Sequence, residues 1–135
     1  TLYKHHRLLI NPAFLALYLA KMGVGKVGST IFADAMPQDA KSAVMVTSPT
    51  SGIEVDHELA GFYMDSVLIV VRDISLSAAQ RKMQVINDLF PVDNVTSKSV
   101  FFRMLRPMTL PIVYPRNDGA LFEIGLPVEF AGYML

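Results

Sequence analysis

Residues 66–72 read SVLIVVR, an unbroken aliphatic run with none of the apolar–polar alternation of a half-buried strand. Such a run marks an interior strand covered on both faces, so the rest of the chain has to supply layers above and below it. Two segments read as helices for that purpose. Asn11 before Pro12 is a helix start, with the amide side chain as N-cap and proline at the position that needs no N–H. Residues 13–22 follow, and Gly23 or Gly25 closes the helix. Only Tyr18 and Lys21 are polar in that stretch, and a helix apolar nearly all round wants partners on both sides. One side fits the domain's own core; the other is a candidate subunit contact through Phe14 and Tyr18. The second helix is amphipathic. Ser77, Ala78, Ala79 and Gln80 form a capping-box pattern. Leu76, Ala79, Met83, Ile86 and Phe90 recur at steps of three and four, and Pro91 ends the run.

Shorter strands are expected at residues 29–32, 43–47 and 100–105. The last strand alternates cleanly: Phe122, Ile124, Leu126, Val128 and Phe130 face one way, with Glu123, Gly125, Pro127 and Glu129 opposite. Pro127 places that strand at a sheet edge. The expected fold is α+β, a mostly antiparallel sheet of about five strands with two main helices packed on it and long loop arms. At 135 residues it is a single domain, residues 1–135.

Composition narrows the class. Hydrophobic residues make up 52% and charged residues 18%, against about 25% charged in ordinary soluble domains. The longest apolar stretch, residues 13–20, is far short of the roughly 20 residues of a membrane span, so no membrane partner is expected. Residues 8–20 do not read as a secretory signal, because Asn11 and Pro12 interrupt them. The apolar excess therefore points to burial against other protein chains. Cysteine is absent, which excludes disulfides and thiolate metal sites. A net charge of zero argues against a generic nucleic-acid binder.

Motifs for chemistry are weak. Gly23, Gly25 and Gly28 match the dinucleotide-loop spacing, but they follow a helix and precede a strand, the reverse of the order in which a helix N-terminus meets a pyrophosphate. Asp56, His57 and Glu58, with Glu54, read as a solvated acidic loop rather than a metal cluster. The paired His5 and His6 read as surface or interface residues. No serine has a nucleophile-elbow context. No catalytic residue, cofactor or metal is assigned.

Charge order says more than charge total. Residues 42–71 hold no Lys or Arg but carry Glu54, Asp56, Glu58 and Asp65; residues 94–117 hold no Asp or Glu but carry Lys98, Arg103, Arg106 and Arg116. Either the two stretches neighbour each other within one fold, or one copy's acidic surface meets the next copy's basic surface, a contact that closes into rings or grows into filaments. The segment 106–119, punctuated by Pro107, Pro111 and Pro115, carries Met108, Leu110, Ile112, Val113 and Tyr114. It is expected to lie across its own domain or a neighbour. Leu110, Ile112, Tyr114, Arg103, Arg106 and Arg116 join Phe14 and Tyr18 as interface candidates.

This order of elements resembles the tail terminator and minor capsid proteins of long-tailed bacteriophages. The resemblance is carried by the helix closing on Gly23 and Gly25, the strand at Ile31 and Phe32 with its Met36-Pro37 turn, and the strand ending at Arg72 and Asp73. The helix with Ala78 and Ala79, and the Asn117-Asp118-Gly119 loop before the alternating last strand, complete it. It implies a non-enzymatic ring, usually a hexamer, in the virion neck at the head-proximal end of the tail, assembled in the host cytoplasm. Such a ring caps the tail tube protein, presents a face to the head-completion or connector protein, and passes DNA without sequence-specific binding. Lumens of that family are usually lined with acids; here Glu54, Asp56, His57 and Glu58 are the lumen- or tube-facing candidates. Two other readings stand beside it: a head-completion or connector-adaptor neck protein, and a small α+β ligand-binding or enzymatic domain.

Overall fold

The computed structural model describes residues 10–49, 51–54, 62–115 and 121–135. Two helices, α1 (Pro12–Lys21) and α2 (Leu76–Asn87), accompany seven strands: β1 (Ile31–Ala33), β2 (Ala43–Thr47), β3 (Phe62–Asp73), β4 (Val92–Ser97), β5 (Val100–Pro107), β6 (Ile112–Val113) and β7 (Phe122–Met134). All seven strands belong to one sheet, ordered β1-β2-β3-β7-β5-β4, with β6 also paired to β7. Only β1–β2 is parallel among these pairs. The α+β class is as expected.

Register explains the core. Val67, Ile69 and Val71 of β3 lie opposite Val128, Leu126 and Ile124 of β7, and paired residues share a face. Phe14, Leu15 and Leu19 of α1 and Ala79, Met83 and Ile86 of α2 enter the same buried cluster. Both helices therefore cover one face of the sheet. Burying each of these larger side chains contributes about 1.5–3 kcal/mol. Ser97, buried on β4, donates from Oγ to the carbonyl of Phe14 at 2.6 Å and ties the β4 edge to α1.

Several expectations change. α1 does not keep a face for a neighbour: Phe14 and Tyr18 are each only 4% exposed, consumed by the chain's own core. Burial raises the Tyr18 phenol pKa, since the phenolate would lose its hydration. Pro127 does not mark an edge, because β7 lies between β3 and β5. A strand residue's N–H and C=O project to the same side in an antiparallel sheet. The Pro127 carbonyl accepts from the Met108 N–H, so its missing donor faces the gap between β5 and β6 and costs no bond to β3. The unforeseen strand β4 brings the sheet to its sixth ladder position.

α2 starts earlier than its capping-box pattern implied. Ser75 is the N-cap, extended at φ −131, and its Oγ accepts from the Ala78 N–H at 3.1 Å. Ser75→Ala is expected to cost about 1 kcal/mol in urea unfolding and Ser77→Ala only a few tenths. At the end of α1 the glycines act as helix closure. The Gly23 and Val24 N–H groups donate back to Ala20 and Leu19, with Gly23 at φ 86.

Candidate functional site

Neither helix packs on the other face of the sheet, and the segment after β6 covers only part of it. Alternation assigns its side chains. Phe62, Met64, Leu68 and Val70 of β3 lie beside Tyr133, Ala131, Pro127 and Gly125 of β7; β5 adds Phe101, Met104 and Arg106. Phe101 and Tyr133 rings stack at 5.3 Å. Thus the residues 66–72 do form an interior strand, and their second face is covered in part: Tyr114 sits over Gly125 beside the buried Val70, Arg72 holds the 37–40 loop, and the end at Phe62 and Met64 stays open. Met64 is 58% exposed and Tyr133 is also exposed. A sheet face this apolar is costly to leave in water. Near its β1 end, Arg72 clamps the face: it pairs with Glu123 at 3.2 Å and donates to the Pro37 and Ala40 carbonyls.

At the other end lies a cleft of about 410 Å³ between Phe62, Met64 and Ala131 on one side and Asp93, Asn94, Arg103, Met104 and Arg106 on the other. A β-bulge produces it. The β5–β7 register slips between Phe102 and Met104, so that Phe102 and Leu105, three positions apart, are both buried. Arg103 is the extra residue, opposed by Asn94 at φ 56 in β4. Bulges re-aim side chains in this way. Arg106 reaches Asp93 at 3.9 Å, with both side chains more than half exposed, an ion pair of small worth.

The acidic stretch leaves from the opposite face. Ile53 packs against the helix-side core. The exposed Glu54 donates its N–H to Asp65 Oδ2 at 2.7 Å. Asp65 is in register with the core residue Phe130, which places it on the helix side. No ion pair among the described residues joins the acidic stretch to the basic one. Asp56, His57, Glu58 and Arg116 lie outside the described residues.

The proline-punctuated segment lies on its own domain. β6 pairs with β7 through Ile112 and Gly125, the Tyr114 N–H donates to Glu123 O, and the Tyr114 ring sits over Gly125. Leu110 nevertheless remains 82% exposed, with Met108, Ile112 and Val113 also exposed. Pro111 and Pro115 flank β6 and deny its outer edge donors.

The Met-lined sheet face was missed in the sequence. Its only signal there was the lack of alternation in β3. Of the candidates named from sequence, Arg103 and Arg106 meet in one cleft; Glu54 lies on the far face; Leu110 and Ile112 are exposed apart from both, and Tyr114 folds over Gly125. Among the described residues no group of three or more His, Asp or Glu side chains could hold a metal ion, and no helix is long and apolar enough to cross a membrane.

A comparison with curated proteins finds no match for this chain. A family profile described as bacteriophage tail terminator protein matches residues 18–133, from the second half of α1 to the end of β7. With that match spanning nearly the whole fold, the chain belongs to the bacteriophage tail terminator proteins, structural components of the phage tail and hence of the virion.

Proposed function

We propose that copies of this chain assemble in the host cytoplasm into a ring, a hexamer, that caps the tail tube at its head-proximal end. The ring joins the tube to the head-completion or connector protein and lets DNA pass through its lumen without sequence-specific binding. The observation that supports it most is the exposed apolar end of the sheet face away from the helices, at Met64 and Tyr133, in a member of this family. A protomer with Met64 and Tyr133 exposed on that face gains by covering it with protein. Arg103 and Arg106 on one face and the exposed Glu54 on the other favour head-to-tail contacts, the kind that close into rings. Blunted edges at β4 (Asn94) and β6 (Pro111, Pro115) discourage the open-ended strand addition that would extend the tube. A conduit that withholds Lys and Arg from its lumen does not grip phosphate.

The test is the mass of the purified chain by light scattering, together with electron micrographs, alone and mixed with tail tubes. The expected result is an annular particle with a pore wide enough for duplex DNA, seated on tube ends. A chain that stays monomeric in both preparations overturns the reading.

A further inference from the structure

We propose that the cleft holding Arg103 and Arg106 receives the Glu54 carboxylate of a second copy of this chain, and that this contact is the lateral seam of the ring. The inference rests on the ring reading above and moves Glu54 from the lumen to the seam.

Four observations carry it. The bulge between Phe102 and Met104 brings Arg103 to the mouth of a cleft already holding Arg106. Two guanidinium groups in one cleft match a carboxylate, which they can bind by paired, charge-assisted hydrogen bonds. The two acids already near do not satisfy them: Asp93 touches only Arg106, at 3.9 Å and exposed to solvent, and Glu129, opposite Arg106 on β7, forms no ion pair among the described residues. Arg103 takes part in no ion pair among the described residues. The cleft's other walls, Phe62, Met64, Met104 and Ala131, are apolar and lower the local dielectric, which strengthens an ion pair seated against them.

Position selects the occupant. Glu54 is exposed, and its backbone is held by the Asp65 carboxylate. It lies on the helix side of the sheet, and the cleft lies on the other side. Within one protomer the sheet stands between them; between two protomers packed face to back, they can meet. The contact is heterologous, with each copy giving an acid on one side and two arginines on the other, so it repeats from copy to copy until the ring closes.

The experiment is a charge swap in the full chain, with mass measured at several protein concentrations and the thermal melt as fold control. Arg103→Glu with Arg106→Glu, and separately Glu54→Lys, are expected to weaken assembly at least about tenfold while each variant still melts in one cooperative transition. Combining all three substitutions is expected to restore rings. Rings that persist in either variant at wild-type concentrations overturn the seam. So does loss in both without recovery in the combination, which assigns the arginines to some other acid. Failure of the unmodified chain to form rings at all overturns the function reading instead, and is distinguishable because it appears before any substitution.

Discussion

Gly132→Val is expected to lower the unfolding free energy by about 3 kcal/mol and the thermal midpoint by about 10 °C. Gly132 lies in β7, opposite Tyr63 of β3 and Phe102 of β5, at the start of the bulge. A Cβ there would come within 2.6 Å of the Phe101 carbonyl oxygen and 3.3 Å of the Phe102 Cα. Those neighbours are backbone, and no rotamer change removes them. Relief has to come from separating β5 from β7, which opens the sheet between the Phe102 and Phe130 rings of the core. Gly125 provides the contrast. A Cβ at that position meets the Tyr114 side chain, which can swing away, so Gly125→Ala is expected to cost only about 1 kcal/mol. Urea unfolding of the two variants beside the parent measures the difference. A Gly132→Val protein that unfolds within 1 kcal/mol of the parent would show that β5 yields at the bulge and that the close approach is not a constraint.

That bulge also shows where sequence reading stops. β2, the interior β3, both helices and the alternating β7 were legible because their signals are local: a cap, a period, an unbroken aliphatic run. β4 was not. Its sequence, VDNVTS, is polar, and Val92 and Val95 both face the core only because Asn94 takes φ 56 between them. The hairpin joining β4 to β5 turns at Lys98, φ 54, where Gly or Asn would have announced it. The place of β7 between β3 and β5 comes from pairing between distant segments, and no local residue encodes it. Pro127 was therefore misplaced at an edge: the rule that proline avoids ladder positions holds, but the ladder is interrupted beside it. The candidate site was legible in its charges and not in its geometry. Arg103 and Arg106, three positions apart, would point to opposite faces of a regular strand, and only the bulge gathers them in one cleft.

The same geometry separates two exposed apolar residues that look equivalent by accessibility. Met64 on β3 is 58% exposed and Val85 on α2 is 56% exposed. Changing either to Asp is expected to leave stability within about 0.5 kcal/mol, as for most surface substitutions. Their effects on assembly are expected to differ sharply. Val85 lies on the outer side of an amphipathic helix whose buried side chains already sit in the core, so Val85→Asp should assemble as the parent does. Met64 is a wall of the arginine cleft and belongs to the open end of the sheet face. Met64→Asp removes apolar area from the surface a partner must cover, and adds a carboxylate that pairs with Arg103 or Arg106 within the same protomer. The second copy then meets arginines already neutralised. A loss of at least about tenfold in ring formation and in the yield of joined tails is expected. Equal losses from Met64→Asp and Val85→Asp would assign the effect to surface charge in general and remove the sheet face from the assembly contact.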